Sequence, residues 1–159
     1  MTTERQITIL FVCMGNICRS PAAECLMRHA LETRKIEHKF GLDSAGTGGW
    51  HVGNKPDRRM RVAAKAAGRS IDGAARQVCA DDLIDFDLIF CMDNDNYENL
   101  MSMGANPEKT YLLLEFVEHQ TLTEVPDPYY GGSEGFTNVI TLIDGAVCEL
   151  IDRLLATTS

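Results

Sequence analysis

The sequence predicts an α/β fold, a four-stranded parallel sheet with helices on both faces. Three observations predict it. Four apolar runs of strand length are spaced along the chain, amphipathic helical patterns separate them, and the chain has the size and composition of one packed unit. At 159 residues, 45% hydrophobic and 24% charged, a single domain over 1–159 is expected.

Residues 7–12 (ITILFV) are β-branched and apolar and read as the first strand. Ser20 and Pro21 then start a helix, because a proline in the first turn gives up an N–H that has no helical partner. Ala23, Leu26, Met27, Ala30 and Leu31 follow at i, i+3, i+4, i+7 and i+8. A weaker strand over 38–44 leads through a Gly-rich loop to a helix over 57–67, which Gly68 can terminate. Residues 85–92 (DFDLIFCM) are the third strand, and Asp93 can cap a helix carrying Tyr97, Leu100 and Met101. Residues 110–116 (TYLLLEF) are the fourth. A loop with Pro126, Pro128, Gly131 and Gly132 precedes a long last helix, where Phe136, Val139, Ile140, Ile143, Val147, Leu150, Ile151 and Leu154 make one apolar stripe. Such sheets bind ligands at the carboxyl ends of their strands, which directs attention to the loops after Val12, Ser44, Met92 and Phe116.

Charge narrows the function. The net charge is −8, yet residues 1–76 carry +6 and residues 77–159 carry −14. No basic run beyond the neighbourhood of residues 55–61 exists, so no nucleic-acid partner is expected. The apolar runs fall far short of the ~20 residues of a spanning helix, so no membrane insertion is expected. Residues 1–6 do not resemble a secretory signal, and six irregularly spaced Cys form neither a disulfide framework nor a zinc site. The cytoplasm, with reduced thiols and no bound metal, is the expected setting.

The loop after the first strand reads Cys13-Met14-Gly15-Asn16-Ile17-Cys18-Arg19-Ser20-Pro21. Five residues between a Cys that ends a strand and an Arg that opens a helix can curl so that their N–H groups point inward. With the helix dipole behind them they form a cradle for a tetrahedral dianion, a phosphate-binding loop between strand 1 and helix 1. Gly15 and Asn16 tolerate the positive φ of such a curl. Met14, Ile17 and Cys18 add backbone N–H groups, and the Arg19 fork can hold two phosphate oxygens. The same positive field favours the thiolate form of Cys13, the candidate nucleophile, and Ser20 can donate a hydrogen bond to its sulfur.

With these residues in view, the sequence resembles the low-molecular-weight protein tyrosine phosphatase family. The resemblance rests on residues 12–21, on Asp43-Ser44-Ala45-Gly46-Thr47 with Trp50, and on Asp127-Pro128-Tyr129-Tyr130, spread over essentially the whole chain. It implies that Asp127 is the general acid for the leaving oxygen and then the base for the water that hydrolyses a cysteinyl-phosphate, with no cofactor. It also implies that Trp50, Tyr129 and Tyr130 wall the entrance, and that Cys18 can form a reversible disulfide with Cys13. The implied partner is a phosphotyrosine-bearing protein or peptide, with a cognate tyrosine kinase as a further candidate. One departure stands out. Gly73 occupies a position where many members carry a His that orders the phosphate loop through Asn16, so a weaker buttress is expected.

Three other readings fit these residues less well. Related arsenate reductases relay electrons through two further cysteines with six residues between them, whereas Cys79 and Cys91 have eleven. Protein-arginine phosphatases usually place a small polar residue where Ile17 stands. A pure phosphotyrosine-binding module has no need of Cys13 and Asp127. Asp93 reads as a helix cap rather than a second acid, and residues 55–61 as either an exposed helix face or a contact for acidic peptide flanks. His29, His38, His51 and His119 show no metal or triad spacing.

Overall fold

In the computed structural model, which describes residues 5–128 and 132–157, the chain alternates strand and helix. The order is β1 (Ile7–Cys13), α1 (Arg19–Thr33), β2 (Phe40–Gly46), α2 (Arg58–Ala66), α3 (Ala80–Asp85), β3 (Leu88–Cys91), α4 (Asn94–Ser102), β4 (Thr110–Leu112), α5 (Leu113–Phe116) and α6 (Ser133–Thr157). The four strands are all parallel, in the order β2-β1-β3-β4.

Alternate side chains of β1 enter opposite faces of the sheet, as the period of two requires. Ile9 and Phe11 pack with Leu26 and Met27 of α1 and with Ile143 and Val147 of α6. Leu10 and Val12 pack with Leu83 of α3 and Leu100 of α4. Helices therefore cover both faces, as predicted. Along α6 the predicted stripe from Phe136 to Leu154 is buried throughout.

Two elements differ from the expectation. The fourth strand stops at Leu112, and LLEF turns into α5 with Leu113 and Leu114 buried. A continuous apolar run has no period, so a strand and a buried helical turn look alike within it. The helix α3 went unpredicted because so short a helix has no periodic signature; it is capped by Cys79 and Asp82, and its last residue, Asp85, had been expected to open the third strand, which begins only at Leu88.

Topology places the site. From β1 the chain moves outward to β2, and from β3 it moves the other way to β4, so a crevice opens beyond the carboxyl ends of adjacent β1 and β3. The Met92 N–H donates to Val12 O at 3.1 Å and the Val125 N–H to Met92 O at 2.7 Å. These bonds gather the segments following β1, β3 and α5 at one end of the sheet.

Candidate active site

Cys13 ends β1 and Arg19 opens α1, and the five residues between them curl as predicted. The curl is held from outside. The carbonyl of Cys13 accepts from Thr47 N at 2.8 Å, that of Met14 from Gly48 N at 2.9 Å, and that of Ile17 from Asp57 N at 2.7 Å. In a trans peptide the next N–H points opposite to the carbonyl, so the N–H groups of Met14, Gly15 and Cys18 face the interior of the loop. Those of Asn16 and Ser20 reach Cys13 Sγ at 3.3 and 3.4 Å. Cys18, at the N-cap of α1, provides no side-chain acceptor and the first turn has no acidic residue, which leaves the positive helix end open to an anion.

The two residues expected to take positive φ behave differently. Asn16 has φ 57°, whereas Gly15 is outside the left-handed region. Gly15 is needed for room instead, since a Cβ there would lie 3.0 Å from His51 Cδ2. The closest approach to backbone is at Gly46, which pairs with Cys13 across the sheet: an added Cβ would sit 2.7 Å from Met14 O and 3.1 Å from Asn16 N.

Cys13 Sγ and Ser20 Oγ lie 2.9 Å apart. Asn16, 3% exposed, donates from Nδ2 to both Ser20 Oγ and Ser44 Oγ and accepts the Arg76 N–H at Oδ1. The looser buttress expected from Gly73 is not seen, because Asn16 is fixed by these three partners without a histidine.

Arg19 is 2% exposed and is reached from three directions. Its Nη1 lies 2.6 Å from Asp93 Oδ2 and donates to Val125 O at 3.0 Å, while Nη2 is 3.5 Å from Asp127 Oδ2. Burial works against the charge, but Cys13, Asp93 and Asp127 outweigh it and hold the guanidinium above its ordinary value. Asp93 is the helix cap that the sequence predicted, with Oδ1 accepting from Asn96 N at 2.9 Å, and is also the partner of Arg19, which the sequence reading missed.

These groups converge on a cavity of about 330 Å³, lined by Cys13, Met14, Gly15, Ile17, Cys18, Arg19, Trp50, His51 and Asp127. Trp50 stands at its mouth, 72% exposed. Tyr129 and Tyr130, expected beside it, lie outside the described residues. His51 was assigned nothing from the sequence, yet it lines the cavity. A wider groove of about 1080 Å³ on the far side of Asp127 runs along α6 and contains neither Cys13 nor Arg19.

Burial pushes the Cys18 thiol well up, with the charges of Asp57 and Cys13 adding to the effect, so Cys18 faces the cavity as a protonated thiol. All six cysteines are free. Among the described residues no group of His, Cys, Asp and Glu could hold a metal ion, and no helix is long and apolar enough to cross a membrane. In the basic segment Arg59 pairs with Asp57 and lies over the Phe136 ring at 4.6 Å, and Arg61 Nε donates to Pro56 O at 3.0 Å.

Known proteins resemble this chain in sequence and fold. Residues 8–158 match the family described as low molecular weight phosphotyrosine protein phosphatase. The low molecular weight protein-tyrosine-phosphatase YfkJ of Bacillus subtilis is 46% identical over 148 residues, covering 91% of this chain and 94% of that protein. The crystal structure of a protein tyrosine phosphatase from Entamoeba histolytica matches with a TM-score of 0.90 at 41% identity, over 97% of this chain and 100% of that one. A Drosophila arginine phosphatase matches with a TM-score of 0.84 at 32% identity, over 92% and 96% of the two chains. On a family match over nearly its whole length, together with these identities, the chain belongs to the low molecular weight phosphotyrosine protein phosphatase family and is a phosphatase.

Proposed function

We propose that the protein, acting as one unit over residues 1–159, hydrolyses the phosphate ester of phosphotyrosine in proteins or peptides, and small aryl phosphates, through a cysteinyl-phosphate. The observation that carries this is the convergence of Cys13, Arg19 and Asp127 on one cavity. Cys13 Sγ attacks phosphorus while Arg19 and the loop N–H groups hold the equatorial oxygens. The P–O bond to tyrosine breaks, and Asp127 delivers a proton to the departing oxygen. In the second step Asp127 removes a proton from water, the water oxygen bonds to phosphorus, and the S–P bond breaks to release inorganic phosphate. Ser20 stabilises the sulfur as it leaves.

Ile17 within the cavity and the exposed face of Trp50 favour an aromatic ester over phosphoarginine. A reductase relay has little support, since Cys91 is 0% exposed in β3 while Cys79 is exposed. Free thiols fit a reducing, cytoplasmic setting. In that setting a peroxide would oxidise the Cys13 thiolate to a sulfenic acid, and condensation with the Cys18 thiol, with loss of water, would give a disulfide that thiols reduce again, a reversible protection.

Turnover of p-nitrophenyl phosphate, a phosphotyrosine peptide, a phosphoarginine peptide, and arsenate with thioredoxin separates the readings. The expected result is turnover of the first two and its loss in Cys13→Ser. Full activity in Cys13→Ser, or preference for phosphoarginine or arsenate, overturns the proposal.

A further inference from the structure

A chain of hydrogen bonds behind the phosphate loop ends in two groups that can each act in only one direction. At one end the backbone N–H of Arg76, which can only donate, reaches Asn16 Oδ1 at 2.9 Å. The Asn16 amide is thereby oriented, and its Nδ2 donates to Ser20 Oγ at 2.8 Å and to Ser44 Oγ at 3.0 Å. At the other end Glu24 Oε1 is 2.7 Å from Ser44 Oγ, and a carboxylate only accepts. Ser44 therefore gives its one proton to Glu24 and offers a lone pair to Asn16. Ser20 likewise accepts from Asn16, so its own proton points elsewhere. Cys13 Sγ at 2.9 Å is nearer than Ala45 O at 3.4 Å.

Glu24 lies on α1 and is paired through Oε2 with Arg28, one turn further along. Burial works against the Arg28 charge, but the hydrogen bond and charge of Glu24 outweigh it, and the guanidinium is held above its ordinary value. Asp72 and Cys25 lie beside this pair, and Asp43 shares a small cavity with Glu24 and Asp72.

We propose that Glu24 is a positioning residue of the active site: by accepting from Ser44 it keeps a Ser44 lone pair turned to Asn16 and so holds the amide, which the Arg76 N–H orients at its other end, where Ser20 accepts from it and donates to Cys13 Sγ. The proposal rests on the reading of Cys13 as the nucleophile. A donor to sulfur favours the thiolate and an acceptor favours the thiol. With an apolar residue at position 24, the Ser44 proton loses its acceptor and turns toward the Asn16 amide. The two donors then oppose each other, the amide leaves Ser20, and Ser20 is released to accept from the thiol.

The test is the pH profile of Cys13 alkylation by iodoacetamide in the full chain, with modification assigned to Cys13 by fragment mass spectrometry. Arg19, Asp93, Asp127, Cys18 and His51, the titratable groups around Cys13 and its cavity, remain in every variant. Glu24→Leu is expected to move the midpoint up by about one pH unit. Ser44→Ala, which removes the hydroxyl that would oppose the amide, moves it less, and the double variant returns to the Ser44→Ala value because the opposing proton is gone. Glu24→Gln, whose side-chain oxygen still accepts, also moves it less than Glu24→Leu. An unmoved midpoint in Glu24→Leu, a double variant that keeps the whole Glu24→Leu shift, or equal shifts in Glu24→Gln and Glu24→Leu overturn the proposal, and so does a loss of thermal stability with no midpoint shift. Should Glu24→Leu not fold, Glu24→Ala takes its place. Alkylation needs no turnover, so failure here leaves the catalytic reading standing, whereas an active Cys13→Ser removes that reading.

Discussion

Arg19 Nη1 and Asp93 Oδ2 are 2.6 Å apart although 74 residues separate them in sequence. The pair joins the loop after β1 to the start of α4, and one carboxylate performs two tasks, since Oδ1 caps the helix while Oδ2 holds the guanidinium. A capping residue thus becomes part of the anion site because β1 and β3 are neighbours in the sheet.

Substitution of Asp93 by Asn should separate those tasks. Asn is about as good a cap as Asp, so the start of α4 should hold, and the stability lost, on the order of 1–3 kcal/mol, should be that of a buried guanidinium deprived of a carboxylate. Its amide N–H would face the Arg19 N–H groups and push the guanidinium from its place. Catalysis depends on alignment in the transition state more than on ground-state binding, so kcat should fall about ten-fold or more with a smaller change in KM. Steady-state kinetics checks this, and a rise in KM with kcat intact would contradict it.

Asp127 is exposed enough, at 28% of its side chain, to meet a leaving group, and close enough to Arg19 to share its field. Asp127→Asn should lower kcat by ~10²–10⁴ for phenyl phosphate, whose leaving oxygen needs a proton. For p-nitrophenyl phosphate, with a far better leaving group, the loss should be smaller. Equal losses for the two esters would speak against an acid role.

At Gly46 an added methyl meets the backbone of Met14, Gly15 and Asn16, which has no flexible side chain to yield. Gly46→Ala should destabilise the protein by ~1–3 kcal/mol, the usual cost of overpacking, and also weaken competitive inhibition by inorganic phosphate. Urea unfolding and inhibition constants are the measurements. Loss of stability without weaker phosphate inhibition would mean that the loop does not depend on this contact.

Arg76 bridges Asp82 and Asp43, each at 2.9 Å. Burial pushes the Asp82 carboxyl up, but the hydrogen bonds from Arg76 and from the Cys79 N–H outweigh it and hold Asp82 below the usual carboxylate range. The folded protein therefore binds this proton less readily than the unfolded chain. The contribution to stability is complete above the unfolded value of about 3.9 and is lost as pH falls through the folded one. Urea midpoints should drop as the medium is acidified below that range, and less steeply in Asp82→Asn. Parallel slopes would rule out this linkage.

Much of this was legible in the sequence. The alternation of apolar runs and helical stripes reports burial directly, and the five residues between Cys13 and Arg19, with Gly15 and Asn16 among them, are of types that can curl. What escaped the reading depends on contacts distant in sequence. Nothing local to Asp93 says that Arg19 will lie against it, nothing near His51 says that its ring will cover Gly15, and Ser44 acquires its role only because β2 runs beside β1. Gly73 misled for the same reason, since the partners that secure Asn16 come from α1, β2 and the segment containing Arg76.

The carbonyls of Cys13, Met14 and Ile17 are tied to Thr47, Gly48 and Asp57. For the loop to change shape, the segment after β2 and the start of α2 would have to move with it. The entropy of ordering the cradle is thus lost once, when the chain folds, and not at each encounter with a phosphate. Between turnovers the site has only to exchange an anion for water.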